Sequence, residues 1–225
     1  MQQFSVVISG FDHYEGIDIN PSAEAPRLLA EQGLGISTDI DDPLSGVSVD
    51  IHTVGLPISF TDAWPELERV LDAVEPDIVI ATGLKRSARG IALERCATNL
   101  MDASGRDDDG VETRRTPIDP DGPAAYWTRL PLRAILRDFT AADIPATLSS
   151  DAGTYVCNSL FYHLMHWNAG RRRVLSGFVS FPKVAQSAHS QQGLTLECQV
   201  AACRSVVRET IRYHLSPSSE EILLD

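Results

Sequence analysis

The most informative segment of this chain reads Ile144-Pro-Ala-Thr-Leu-Ser-Ser-Asp-Ala-Gly-Thr-Tyr-Val-Cys157-Asn158. A short apolar run over residues 144–148 predicts a strand, and a small polar turn containing a glycine follows it. After Cys157, apolar residues at positions 160, 161, 164 and 165 have helical spacing. The thiol is therefore expected at a helix N-terminus, where unpaired N–H groups and the helix dipole favour the thiolate and could hold an oxyanion. Cys157 is a candidate nucleophile.

The same alternation of strand and helix continues on both sides of this segment. Strands are predicted over residues 4–9, 47–56, 77–81, 144–148 and 174–181, and helices over 23–31, 63–73, 123–139, 157–167 and 196–213. This order predicts an α/β fold with a mostly parallel, twisted sheet in three layers, covered by helices on both faces. Ligands of such sheets bind beyond the carboxyl ends of the strands. One active site is expected at that edge, within a single domain spanning residues 1–225.

Composition narrows the class of protein. The formal net charge of −12 argues against nucleic acid or an anionic membrane as a partner. Four cysteines at irregular spacing fit neither a disulfide framework nor a zinc site, and no metal or cofactor is predicted. The N-terminal residues lack the pattern of a signal peptide, so a cytoplasmic location is expected.

Two interpretations of Cys157 stay open on its local sequence alone. Free cysteines are most often small buried hydrophobes, which is the expected state of Cys96, Cys198 and Cys203. A thiol at the start of a helix can instead be chemically active.

The segment Ser149-Ser-Asp-Ala-Gly-Thr-Tyr-Val-Cys157-Asn158 resembles the cysteine motif of pyroglutamyl peptidase I, a family of cysteine exopeptidases. That motif reads Ser-x-x-Ala-Gly-x-Tyr/Phe-x-Cys-Asn. Three more segments are similar to the family, namely residues 9–22, 83–99 and 120–131. The resemblance implies that Cys157 attacks the amide after an N-terminal pyroglutamyl group and that Glu94 supports the catalytic group. On sequence spacing alone, an ion-pair residue beside Arg95 is the favoured interpretation of Glu94.

The family's catalytic histidine is replaced in this chain. The family reads Gly-Phe-Ile-His-x-Pro, whereas Gly177-Phe-Val-Ser180-Phe-Pro182 places Ser180 at the histidine position. A hydroxyl does not titrate near neutral pH, and loss of a general acid–base costs about 10²–10⁴-fold in rate. We therefore expect ordinary peptidase activity to be impaired unless another group moves the proton.

Substrate-binding positions are partly altered as well. Leu84 stands where the family has glutamine, and Ser104 stands where it has arginine. Phe11 and Tyr14 retain the aromatic pair that flanks the pyrrolidone ring in the family, although ordinary packing is an alternative explanation. The apolar slot is kept while polar parts of the pocket change.

Three histidines elsewhere in the chain have candidate chemical roles. His189, in the polar loop 183–193, could fold over the site, or it could be a solvated loop residue. His163 and His166 have a spacing that permits metal binding, but packing or surface exposure is the simpler interpretation.

Three functions remain open from the sequence. The first is a cysteine hydrolase that acts on pyroglutamyl peptides or a related cyclic amide. The second is a thiol enzyme with redirected acyl chemistry, since an ester or thioester needs less protonation of its leaving group. The third is a catalytically impaired protein that binds a pyroglutamate-like ligand. The expected partner is a small peptide or small molecule, with assembly into a dimer or tetramer.

Overall fold

The computed structural model describes residues 2–12, 16–35, 42–185 and 193–222. The strands within these ranges are β1 (Gln2–Phe11), β2 (Val47–Leu56), β3 (Ile78–Leu84), β4 (Ile91–Glu94), β5 (Cys96–Thr98), β6 (Ala125–Trp127), β7 (Ala146–Ser149) and β8 (Leu175–Phe181). The α-helices are α1 (Pro21–Gln32), α2 (Ala63–Val74), α3 (Leu132–Ala141), α4 (Val156–Ala169) and α5 (Leu196–Leu215). A 3₁₀ turn, Ser219–Glu221, follows α5.

Six of the strands form one sheet in the order β2-β1-β3-β8-β4-β7. The strands β2, β1, β3 and β8 run parallel, whereas β4 is antiparallel to β8 and parallel to β7. The reversal at β4 makes the sheet mixed but mostly parallel. Strands β5 and β6 pair separately as a small antiparallel ribbon.

Helices cover both faces of the sheet. One apolar cluster joins β1, β3 and β8 to α1, α3 and α5, through residues such as Leu29, Phe139 and Val207. The opposite cluster joins the sheet to α2 and α4, through residues such as Leu67 and Phe161. The central strands are buried on both faces because each face packs on helices, which explains their continuous apolar sequence. The predicted three-layer α/β architecture is confirmed.

The predicted helix over residues 123–139 was wrong in its first half. Residues 125–127 form β6, which pairs with β5, and the helix begins only at Leu132. Pro131 precedes that helix, and a proline inside a helix removes a hydrogen bond and clashes with the preceding turn. Strands β4 and β5 were not predicted, since apolar runs of three or four residues do not distinguish strand from buried helix or loop.

In the described part of the chain, no helix combines the length and apolar character needed to cross a bilayer.

Candidate active site

Strand pairing brings the sequence motifs together on the α4 face of the sheet. Gly83 on β3 lies opposite Ser180 on β8. On the other side of β8, Ser180 lies opposite Ala92 of β4, so Glu94 follows two residues further along the same face. Glu94 in turn pairs with Ser149 at the end of β7. The glutamate, the serine at the histidine position and the start of the cysteine motif are therefore neighbours.

Cys157 is the second residue of α4, and it is half-buried. No side chain caps the helix, so its first backbone N–H groups have no partner inside the helix and could face an oxyanion. The thiol lies against β3, where a Cβ atom built on Gly83 would be 2.8 Å from Cys157 Sγ. Only glycine at position 83 lets the sulfur sit this close to the strand.

Glu94 is completely buried and carries two different oxygen environments. Its Oε1 accepts hydrogen bonds from Ser180 Oγ at 2.7 Å and from Lys85 Nζ at 3.2 Å. Its Oε2 is buried and has no hydrogen-bond partner among the described residues. Burying a carboxylate is costly unless hydrogen bonds compensate for the lost hydration. At Glu94 the compensation is incomplete, because within the described part of the chain only one of the two oxygens is hydrogen-bonded.

Lys85 is a site residue that sequence reasoning missed. Besides Glu94, its ammonium donates to Ser149 Oγ at 3.0 Å and to the carbonyl oxygen of Asp151 at 2.6 Å. Its three donors are thus used by three acceptors around the site. A compositional signal was present, because the chain has only two lysines, at positions 85 and 183, and the first lies inside the segment that resembles the glutamate signature.

The expected lowering of the Cys157 pKa is wrong for this arrangement. Burial, and next the negative charge of Glu94, raise the pKa of the Cys157 thiol to about 12. The backbone N–H at the helix start and the charge of Lys85 act in the opposite direction but are weaker. The resting thiol is therefore protonated at neutral pH, and the thiolate becomes more populated as pH rises.

A small cavity opens beside the thiol. Phe11 and Leu84 line it, and Phe11 is held in place because Asn20 Nδ2 donates to its carbonyl oxygen at 2.6 Å. Their contact with substrate stays a prediction. The remaining lining residues were not predicted from sequence: Asn20, Ile58, Tyr155 and Val156. The cavity walls are mainly apolar, so they suit a small uncharged group next to the sulfur.

Ser104 lies apart from this cavity. It is exposed in a separate depression with Asp102 and Arg106, on the other side of Tyr155. Its contact with substrate stays a prediction. Tyr14 and His189 lie outside the described residues, so the aromatic pair and the relocated base stay predictions too.

The four described histidines contact residues other than those that line the cavity. These contacts are His52 with Asp50, His163 with Trp64, His166 with Tyr126, and His214 with the Arg173 carbonyl. For His163 and His166, ring packing and hydrogen bonding agree with the simpler interpretation given above.

Known proteins with similar sequences belong to a family of cysteine peptidases. Residues 4–213 match the sequence profile of the pyroglutamyl peptidase family. Pyrrolidone-carboxylate peptidase 1 of Ralstonia nicotianae is 36% identical over 212 residues, covering 92% of this chain and 93% of the relative. The pyrrolidone-carboxylate peptidase of Pseudomonas fluorescens is 37% identical over 204 residues, covering 90% of each chain.

Solved structures agree in fold over nearly the whole chain. Pyroglutamyl peptidase I of Bacillus amyloliquefaciens superposes with a TM-score of 0.80 at 30% identity, covering 94% of this chain and 98% of the other. Pyrrolidone carboxyl peptidase of Thermococcus litoralis superposes with a TM-score of 0.83 at 28% identity, covering 99% of both chains. These similarities favour a peptidase over redirected acyl chemistry or a binding protein without catalysis.

Proposed function

The chain belongs to the pyroglutamyl peptidase family of cysteine peptidases, and we propose that it removes the N-terminal pyroglutamyl group from small peptides with Cys157 as nucleophile. One observation carries this proposal: a small apolar cavity ends on the Cys157 thiol, beside the buried carboxylate of Glu94. The cavity supplies a site for the ring, and the thiol supplies the attacking atom.

The pyroglutamyl group suits this cavity because it is a small lactam without charge. A free N-terminal ammonium would lose its hydration on entering apolar walls, and burial of an unpaired charge is strongly unfavourable. Phe11, Ile58 and Leu84 provide apolar surface for the ring.

The reaction follows from the position of the thiol. The thiolate attacks the carbonyl carbon after the ring, and the resulting oxyanion lies near the free N–H groups at the start of α4. The C–N bond then breaks, the amine leaves with a proton, and a thioester to Cys157 remains. Water hydrolyses the thioester and restores the thiol.

Ser180 and Glu94 have supporting roles in this proposal. Ser180 Oγ donates to Glu94 Oε1 and thereby satisfies part of the buried charge. Its hydroxyl titrates too high to act as the general acid–base, so we assign it to holding the carboxylate. Glu94 in turn holds the Lys85 ammonium in place near the thiol.

We also propose a reducing, cytoplasmic location and a small homo-oligomer. The four cysteines are all free thiols, which fits a compartment where disulfides do not form. Assembly into a dimer or tetramer stays a prediction that sedimentation of the purified protein would test.

The test is turnover of a pyroglutamyl amide by Cys157→Ser, with Cys198→Ser as the matched control. Cys198 is a half-buried thiol on α5 and has no part in the proposed site. Loss of the nucleophile should lower kcat/KM by about 10³-fold or more, and the control should keep wild-type turnover. Undiminished turnover in Cys157→Ser would disprove the assignment.

A further inference from the structure

Building on the proposed function, we propose that Lys85 takes over the proton transfer that the missing histidine would perform. Its ammonium protonates the departing amine of the substrate, and its neutral form then accepts a proton from the hydrolytic water. Four observations support this role.

The first observation is the position of Lys85 in the chain. It directly follows Leu84, which lines the cavity together with Cys157. Its Nζ lies between the end of β3 and the turn that leads to the cysteine, bonded to Ser149 Oγ at 3.0 Å and to the Asp151 carbonyl at 2.6 Å. The lysine side chain is 29% exposed, so it remains accessible from solvent and substrate.

The second observation is the set of polar groups around the thiol. Hydrogen bonds link four of them: Glu94 on β4, Ser180 on β8, Ser149 on β7 and Lys85 directly after β3. Within the described residues, Lys85 is the cation of this group. It is also the side chain whose charge favours the Cys157 thiolate, in opposition to Glu94.

The third observation is the hydrogen bonding of Glu94. The carboxylate holds Lys85 and Ser180 through the same oxygen, Oε1. A lysine released from Glu94 Oε1 during the reaction leaves that oxygen bonded to Ser180, so the buried carboxylate keeps a partner. Because of Ser180, Lys85 can move away while Glu94 Oε1 keeps one hydrogen bond.

The fourth observation is chemical. A general acid must carry a transferable proton within hydrogen-bond reach of the leaving atom. The Lys85 ammonium carries such protons, whereas Glu94 accepts hydrogen bonds from both Lys85 and Ser180.

The steps balance as follows. The thiol proton passes to solvent, which leaves a thiolate beside the Lys85 ammonium. The thiolate forms the S–C bond, the C–N bond breaks, and a proton moves from Lys85 Nζ to the leaving nitrogen. Water then adds to the thioester carbonyl carbon while its proton returns to Lys85 Nζ, and the C–S bond breaks to give the acid and the thiolate.

The experiment compares Lys85→Met, Lys85→Arg and the control Lys183→Met on a pyroglutamyl amide and a pyroglutamyl ester, beside Cys157 alkylation rates against pH. Lys183 is the other lysine of the chain and has an exposed side chain. Lys85→Met should lower the single-turnover rate at which the amide acylates Cys157 by about 10²-fold and that of the ester far less, because an ester oxygen leaves with little protonation. Hydrolysis of the thioester is common to both substrates and should slow equally. Alkylation at neutral pH should fall about tenfold.

Lys85→Arg separates charge from proton transfer. Arginine keeps the positive charge but does not deprotonate in proteins. It should restore the alkylation rate and leave the amide turnover low. Lys183→Met should match the wild type throughout, and thermal unfolding checks that each variant is folded.

The inference is overturned if Lys85→Met slows acylation by the amide and by the ester equally, or slows neither, or if Lys85→Arg restores acylation by the amide. Failure of the wild type on both substrates would instead reject the proposed function. In that case the alkylation profiles would still decide whether the charge of Lys85 controls the reactivity of Cys157.

Discussion

Glu94 is the residue on which the chemistry of the site depends most. It is fully buried, Ser180 and Lys85 satisfy one of its oxygens, and Oε2 has no partner among the described residues. An unsatisfied buried oxygen costs about 1–3 kcal/mol, and it is also a ready acceptor for a new donor. The resemblance to the family pointed to Glu94 and Cys157, but the sequence did not predict that a lysine would join them.

At this scale we expect Ser180→His to raise the turnover of a pyroglutamyl amide. The imidazole N–H would have Glu94 as an acceptor, and its other nitrogen would serve as a base near neutral pH. The double variant Ser180→His with Lys85→Met is the informative comparison. Removing Lys85 should cost less in the histidine background than in the wild type, and an equal cost would contradict an exchange of roles.

Asn158 joins α4 to the neighbouring ribbon, which fixes the position of the thiol one residue earlier. The buried amide accepts from the Thr98 N–H at 3.0 Å and donates to the carbonyls of Thr98 at 2.8 Å and Leu100 at 3.1 Å. The orientation of the helix start is therefore set by polar contacts as well as by apolar packing.

Asn158→Ala should destabilise the protein by about 1–3 kcal/mol, because the Thr98 and Leu100 groups lose their partner. Denaturant unfolding measures this. The control is Gln32→Ala, which removes an exposed amide that pairs with Arg204 at 2.8 Å and should change the free energy of unfolding by less than about 0.5 kcal/mol. Equal changes in the free energy of unfolding of the two variants would mean that the hydrogen bonds of Asn158 stabilise the fold no more than an exposed pair does.

The hydrophobic pattern of the sequence was sufficient to predict most strands of the main sheet and most of its helices. The strand before Cys157 was predictable from its apolar run, and the helix after it was predictable from the helical spacing of its apolar residues. The strands β4 and β5 were not, because their runs are short and their pairing partners are remote in sequence. The contact of Lys85 with Glu94 and Ser149 depends on that pairing, and the sign of the Cys157 pKa shift depends on burial, so neither follows from the local sequence.

For the whole molecule, buried thiols make stability dependent on alkaline pH. Burial raises the pKa of Cys203, within the α1, α3 and α5 core, to about 12, and it raises the pKa of Cys157 similarly. The unfolded thiols ionise at lower pH, so the folded state holds these protons more tightly. Their contribution is complete below the ordinary thiol pKa and is lost as pH rises from there towards 12.

The free energy of unfolding should therefore fall above about pH 9, by about 1.4 kcal/mol per pH unit for each such thiol. Cys203→Ala should be less stable at neutral pH because it leaves a small cavity, but its decline with pH should be shallower than that of the wild type. Burial also raises the pKa of Tyr162. Because Tyr162 is present in both proteins, the difference between the two slopes gives the contribution of the Cys203 thiol alone. Parallel slopes would contradict a protonated core thiol.

Gly83 has a consequence for reagents that modify the sulfur. Because a Cβ at this position would be 2.8 Å from Cys157 Sγ, the strand backbone blocks one side of the thiol. The cavity offers an electrophile a path to the sulfur on which its reactive carbon lies close to apolar walls. A selective covalent inhibitor should therefore be narrow around the electrophilic carbon and carry its bulk on the far side of that carbon, where the peptide would extend.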